Sequence, residues 1–327
     1  MAGISPLTFP RSADDFPAGR EIPRHLPAVA AIVEVLLELH STLCVKTAAG
    51  AALEVDELHD LRVTLRRSRS LLRGFRDVLG RDRQRHFGAE FRWLGAATSR
   101  LRDLDVLQAA LREPAAAHAT LVTLTAEDHV RLGAFLETER QRDAERLARV
   151  LNSPRFARLC RAWPAALVTL PHPPDHAAPR LGVAVDTALR RAVARLRRDV
   201  TELARQRTPS ALHELRKQCK RLRYLVEPFT SLYPQARIDT LLSDLKRLQT
   251  MMGEICDRHA QRALIGGHLW CRARGDPALR AALQRLRKAL REQAATTEVS
   301  TVLAALAEFD AGRHLADMNA LFGTLEP

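Results

Sequence analysis

The sequence is poor in aromatics, which make up 5% of its 327 residues. Its interior must therefore be built from Ala, Leu and Val, and long stretches carry no Gly or Pro to interrupt a helix. The five cysteines, Cys44, Cys160, Cys219, Cys256 and Cys271, form no C-x-x-C pair. That excludes a zinc-ribbon spacing and an even disulfide framework, and leaves free thiols in a reducing compartment, with Cys219 and Cys256 at core positions. Gly-rich phosphate loops are missing, since Gly266-Gly267 stands alone. The best apolar run, Val29 to Leu39, is broken by Glu34 and Glu38 and is too short to cross a bilayer. The start of the chain lacks the charged, apolar and small-residue segments of a signal peptide. These absences lead us to expect an all-α, cytoplasmic protein with no membrane partner.

What is abundant is positive charge. The formal net charge is +13, and nearly all the basic residues are Arg. Arg keeps its proton at any accessible pH and offers a planar fork of donors that matches phosphate oxygens. A polyanionic partner follows: nucleic acid, an acidic membrane surface or a phosphate polymer.

The first 27 residues hold five prolines and no sustained period, and read as a flexible leader. Helical patterning predicts helices over about 28–46, from 55 to the stop at Gly80, over 81–112 and over 117–151. Prolines 164, 171, 173, 174 and 179 mark a linker placed at 161–181. It separates a first bundle (28–160) from a second (182–327). In the second, Thr208 caps a helix that opens on Pro209, and further helices are expected over 182–205, 236–271, 277–294 and 299–321.

The two halves repeat. ELHDLRVTLRRSRSLLRGF (Glu57–Phe75) returns as ALHELRKQCKRLRYLVEPF (Ala211–Phe229), an offset of 154. The same offset pairs Arg92 with Lys246, Leu94 with Leu248, Leu101 with Ile255 and Asp103 with Asp257. A register kept through a helix, a turn and the next helix marks an internal duplication.

On a helix, Leu58, Leu61, Leu65, Leu72, Phe75 and Leu79 gather on one face, and Leu212, Leu215, Cys219, Leu222, Val226 and Phe229 do the same in the second phrase. Beside each apolar face lies a basic one: His59, Arg62, Arg66, Arg69, Arg73 and Arg76, then His213, Arg216, Lys220 and Arg223 until Glu227 closes it. Solvated faces normally mix acids with bases, because like charges one turn apart repel. These do not mix, and they recur together. Near a protein surface each close charge pair with a polyanion is worth on the order of 4 kcal/mol before desolvation and entropy are subtracted. Asp103 and Asp257 read as acceptors that orient nearby arginines.

The pattern H-[DE]-L-R-x-x-x-[RK]-R-x-R, present as His59–Arg69 and as His213–Arg223, resembles the repeated signature of the CHAD family, the conserved histidine α-helical domain. SRLRDLDVL (Ser99–Leu107) and LKRLQTMMGEICDRH (Leu245–His259) resemble that family's next helix in each half, so the resemblance runs from about Pro27 onward. It implies two tandem antiparallel four-helix bundles related by an internal pseudo-twofold. It further implies a basic surface between them that binds inorganic polyphosphate, association with polyphosphate granules, and neither catalysis nor cofactor. Carried over by position, the binding face is His59, Arg62, Arg66, Arg69 and Arg73 with His213, Arg216, Lys220 and Arg223; Arg76, Arg92 and Lys246 are further candidates. The halves depart where Ser68 and Ser70 face Leu222 and Tyr224, where Cys256 replaces the equivalent of Arg102, and where Glu227 stands for Arg73.

Rival readings fit less well. His59-Asp60 is the dipeptide of metal-dependent phosphohydrolases, but its repeat partner is His213-Glu214, and no metal site is expected. A triphosphate-processing barrel would need strands and an alternating E-x-E-x-K pattern. Nucleic-acid binding through stacked bases would interleave aromatics with the cations, and none occurs before Tyr224; weak non-specific attraction to nucleic acid is expected from charge. A membrane-surface role would need an exposed apolar face, which the core requires.

Overall fold

Both apolar stripes are buried along their whole length. Leu58, Leu61, Leu65, Leu72, Phe75 and Leu79 are each at most 2% exposed, and the six stripe residues of the second phrase are 0% exposed. A computed structural model describes residues 21–47, 53–112, 124–170, 179–294, 299–311 and 321–322. Its named elements are all helical, and among the described residues the sole β-type pairing is one isolated bridge, Pro27 to Arg180.

The helices follow the sequence signals closely. Helix α1 spans Ala28–Thr47 and α2 spans Val55–Gly74, the latter opened by a capping box in which the Glu54 amide donates to Glu57. A short α3, Arg76–Leu79, ends at Gly80, whose φ of +88° suits glycine. Then come α4 (Arg81–Ala97), α5 (Ser99–Arg112), α6 (Ala126–Leu151) and α7 (Pro154–Val168). The second half supplies α8 (Leu181–Gln206) and α9 (Pro209–Val226), with Thr208 accepting from the Ala211 amide as its cap. A 3₁₀ stretch, Glu227–Leu232, leads to α10 (Gln235–Leu264). A π-helical turn (Ile265–Leu269) joins it to α11 (Trp270–Arg272), and α12 (Pro277–Ala294) and α13 (Val299–Ala311) follow.

Several expectations need correction. The helix predicted over 81–112 is broken at Thr98, because the Thr98 and Ser99 hydroxyls both bond back to the Gly95 carbonyl and divert it from the helical ladder. The helix expected from 117 begins at Ala126, set by the capping box of Thr125 with Asp128; residues 117–123 lie outside the described residues. The linker is narrower than 161–181. Pro164 sits inside α7, where burial of Trp163 against Phe87 and Phe91, and of Leu167 in the core (1% and 0% exposed), outweighs the missing backbone bond. Of the leader, residues 1–20 lie outside the described residues. Residues 21–27 are held to the second half: Arg24 donates to the Leu232 carbonyl at 2.9 Å and pairs with Asp186, and the Leu181 amide donates to the Leu26 carbonyl.

The halves also do not close separate interiors. The main core takes residues from α1, α2, α4, the start of α5, the second part of α6, α7, α8, α9, the first part of α10 and α13. A second core joins α5 and the start of α6 to the end of α10 and to α12. The boundary between residues 160 and 182 is one of sequence, since both cores draw on both halves. Helix α2 packs on α9, and just past the ends of the two helices Phe75 and Phe229, matched by the offset of 154, make an edge-to-face contact at 5.5 Å. Gly74 leaves room there for the Leu225 side chain, which a Cβ would displace. Helix α1 runs on to Thr47 and is by length and composition apolar enough to cross a membrane; its face from Ala28 to Leu43 is spent on the main core.

Candidate functional site: a basic trough between the repeated helices

With their apolar faces turned inward, α2 and α9 present their basic faces to a common trough. Its deepest part is a cavity of about 580 Å³ walled by His59, Arg62 and Arg66 from α2 and by His213, Arg216 and Lys220 from α9. Arg66 and Lys220 also border a second cavity of about 340 Å³, which adds Arg69, Arg73, Arg76 and Arg92. Arg73 and Arg76 in turn border a third hollow of only about 30 Å³, reached from α8 by Arg191 and Arg195. The three share walls and form one path along α2.

The floor of the deep cavity is built from equivalent positions with different chemistry. Arg62 donates to Thr98 Oγ1 at 2.8 Å and to Ser99 Oγ at 3.3 Å. The break between α4 and α5 thus supplies the hydroxyls that aim Arg62. Its counterpart Arg216 lies against Gly253, which takes the place of Ser99, and pairs with Asp257 at 3.3 Å. Asp103, the equivalent of Asp257, lies close enough to Arg62 for the two charges to interact. Arg66 Nε and Arg216 Nε are buried with no acceptor among the described residues, so donors remain unspent at the trough wall.

Crowding of like charges dominates the electrostatics. Burial first, and then the Arg66 charge, push Arg62 down to about 10. Burial with Arg216 and Arg66 pushes Lys220 down to about 7. Arg69 is lowered by burial and by Arg92 and Arg73, and Arg221 and Arg195 by burial and Arg73. Desolvation, then Lys217 and Arg216, lowers His213. Each cation destabilises its neighbours, and a polyanion in the trough relieves the repulsion.

The trough collects His59, Arg62, Arg66, Arg69, Arg73, His213, Arg216 and Lys220, together with Arg76 and Arg92. It does not collect Arg223 or Lys246. Arg223 turns inward, 11% exposed, to Glu227 at 3.4 Å, and lies over the Tyr224 ring. Lys246 is exposed on α10 and lines none of the three cavities. Sequence reading missed Lys217 and Arg221, which complete the α9 wall, Arg102 and His259 in the deep cavity, and Arg191 and Arg195. Lys217 and Arg221 each neighbour a stripe residue; a trough between two helices takes more than one column from each. Asp60 pairs with Lys46 at 2.9 Å and does not line the deep cavity beside His59.

These features define an all-helical protein with a basic trough between two repeated helices. A family model described as the CHAD domain matches residues 36–266, and the chain belongs to the CHAD family. The crystal structure of the CHAD domain from the plant Ricinus communis superposes with a TM-score of 0.71 at 22% identity, covering 88% of this chain and 94% of that one. PptA from Streptomyces chartreusis is more distant, with a TM-score of 0.54 at 17% identity over 85% of this chain and 98% of its own. No curated protein matches the chain. At these identities the two structures speak for the fold.

Proposed function

We propose that this protein binds inorganic polyphosphate along the trough and performs no chemistry on it. The observation that carries the reading is the continuity of the basic path, from His59 and His213 to Arg73 and Arg76 and on to Arg191 and Arg195. A compact anion would fill one cavity; a flexible polymer of phosphates uses the two larger ones and runs on past the cations that rim the third. Membership of a family known in general for polyphosphate binding supports it. The ligand stays intact, held by guanidinium forks and by Lys220, and association with polyphosphate granules follows as the cellular consequence.

Nucleic acid offers the same charge but adds bases. The one aromatic side chain bordering the three cavities, Tyr224, is 2% exposed and lies beneath Arg223, which leaves no open ring for a base to stack on. Competition decides between them. Long-chain polyphosphate should displace DNA at far lower phosphate concentration than DNA displaces polyphosphate. The reverse order overturns the proposal.

A further inference from the structure

The repeat puts one arginine on each wall of the deep cavity, Arg62 and Arg216, and different chemistry holds the two. Arg62 Nη1 donates to two neutral hydroxyls, Thr98 Oγ1 at 2.8 Å and Ser99 Oγ at 3.3 Å. Those hydroxyls are themselves fixed, because each donates to the Gly95 carbonyl, at 2.8 and 3.0 Å. Thr98 is 0% exposed. The Arg62 fork is thus oriented by neutral groups and keeps its whole charge for a ligand.

The matched positions of the second half are Met252 and Gly253, and neither carries a hydroxyl. With no side chain at 253, the Arg216 guanidinium lies back on α10. Its Nη2 comes within 3.3 Å of the place a Cβ on Gly253 would take. One helical turn further along, Asp257 Oδ1 pairs with Arg216 Nη1 at 3.3 Å. Arg216 Nε is buried with no acceptor among the described residues, so Asp257 engages only part of the fork. Both members of the pair line the cavity, and so does Cys256, which stands where the first half has Arg102. The Asp257 side chain is 49% exposed, which leaves the pair open to exchange. Burial, meanwhile, pushes Asp103, the matched acid of the first half, up toward its neutral form.

On the reading that the trough binds polyphosphate, we propose that Asp257 is a built-in competitor for the ligand: it occupies Arg216 in the free protein and yields it to a phosphate group. The two walls are then unequal. Arg62 is a preformed anchor, where a phosphate lands without breaking an ion pair. Arg216 engages second, as its fork leaves Asp257, and Gly253 is what lets it rest there. A half-exposed ion pair is weak, so a run of linked phosphates already held at Arg62 displaces it.

The test is a double-mutant cycle on the full-length chain, read by fluorescence anisotropy with labelled long-chain polyphosphate. Asp257→Asn should raise affinity by about threefold or more, the scale of a partly exposed ion pair. With Arg216 already replaced by Ala, the same substitution should leave affinity within about twofold. Gly253→Ser, which returns the hydroxyl of the first half and crowds Arg216 out of its resting place, should raise affinity as well. Thr98→Val should lower it by about fivefold and Thr98→Ser should not, with circular dichroism unchanged in both. Asp257 is at the surface of the cavity, so its variant decides if those at Thr98 do not fold. No gain from Asp257→Asn, or an equal gain with and without Arg216, overturns the competitor and leaves polyphosphate binding standing. Wild-type protein that fails to bind the polymer overturns both.

Discussion

Arg67 and Glu227, 160 positions apart, form an ion pair at 3.1 Å with side chains 6% and 9% exposed. Glu227 stands where the first half has Arg73, and it also holds Arg223. The acid that ends the second basic stripe thus joins α2 to the turn after α9.

Removing that acid leaves two buried guanidinium groups without their carboxylate. Glu227→Ala should cost about 3 kcal/mol of stability, measured by urea denaturation, while polyphosphate affinity stays close to wild type. An unchanged denaturation midpoint would show the pair to be dispensable.

This pair also marks how far the sequence could be read. Helices α2, α9 and α12, the buried stripes and the cap at Thr208 follow from period and capping chemistry alone. So does the trough, as far as His59 to Arg76 form one column. The fate of Arg223 was not legible, because it depends on Glu227 and Tyr224 being buried beside it. Arg191 and Arg195 were not legible either, since the contact that brings α8 beside α2 is tertiary. The helix break at Thr98 rests on two hydroxyls that compete for one carbonyl, a choice that local propensity does not decide.

Replacing Arg62, Arg66, Arg216 and Lys220 together by Ala should abolish polyphosphate binding. Helical content should be unchanged, because these side chains strain the free protein. Fluorescence anisotropy with labelled polyphosphate and far-ultraviolet circular dichroism test the two halves of the statement. Binding that persists at moderate salt would place the ligand elsewhere.

Lys220 should make polyphosphate binding proton-linked. Lowered to about 7 by burial, Arg216 and Arg66, with Asp257 opposing, it is part-neutral in the free protein. A bound polyanion favours the charged form and raises its pKa, so the complex takes up a proton and affinity falls as pH rises through 7 toward 9. Stability of the free protein moves the other way. The unfolded lysine still holds its proton between pH 7 and its ordinary value of 10.5, so this residue's contribution grows with pH across that window. Calorimetry in buffers of different ionisation enthalpy should show proton uptake at pH 8. Lys220→Arg should bind at that pH with the uptake reduced.

Arg191 and Arg195 should matter only for long chains. Their joint replacement by Ala should lower the slope of log affinity against log salt by roughly one to two, at about 0.7 for each phosphate no longer neutralised. Chains too short to pass Arg73 should bind as before. Equal losses for short and long polymers would separate the third hollow from the path.

Phe229→Ala should destabilise the fold by about 3–5 kcal/mol, read from thermal or urea denaturation, because Phe229 is fully buried against Phe75.

The contact between Phe75 and Phe229 is isologous: the same position of each copy touches its own counterpart, as at the centre of a homodimer interface. The two halves of this chain touch there at matched positions. A trough whose facing walls come from opposite halves has no existence in either half alone. Cutting the chain between residues 170 and 179 would leave polyphosphate affinity dependent on the concentration of the fragments, because the site is a property of their association.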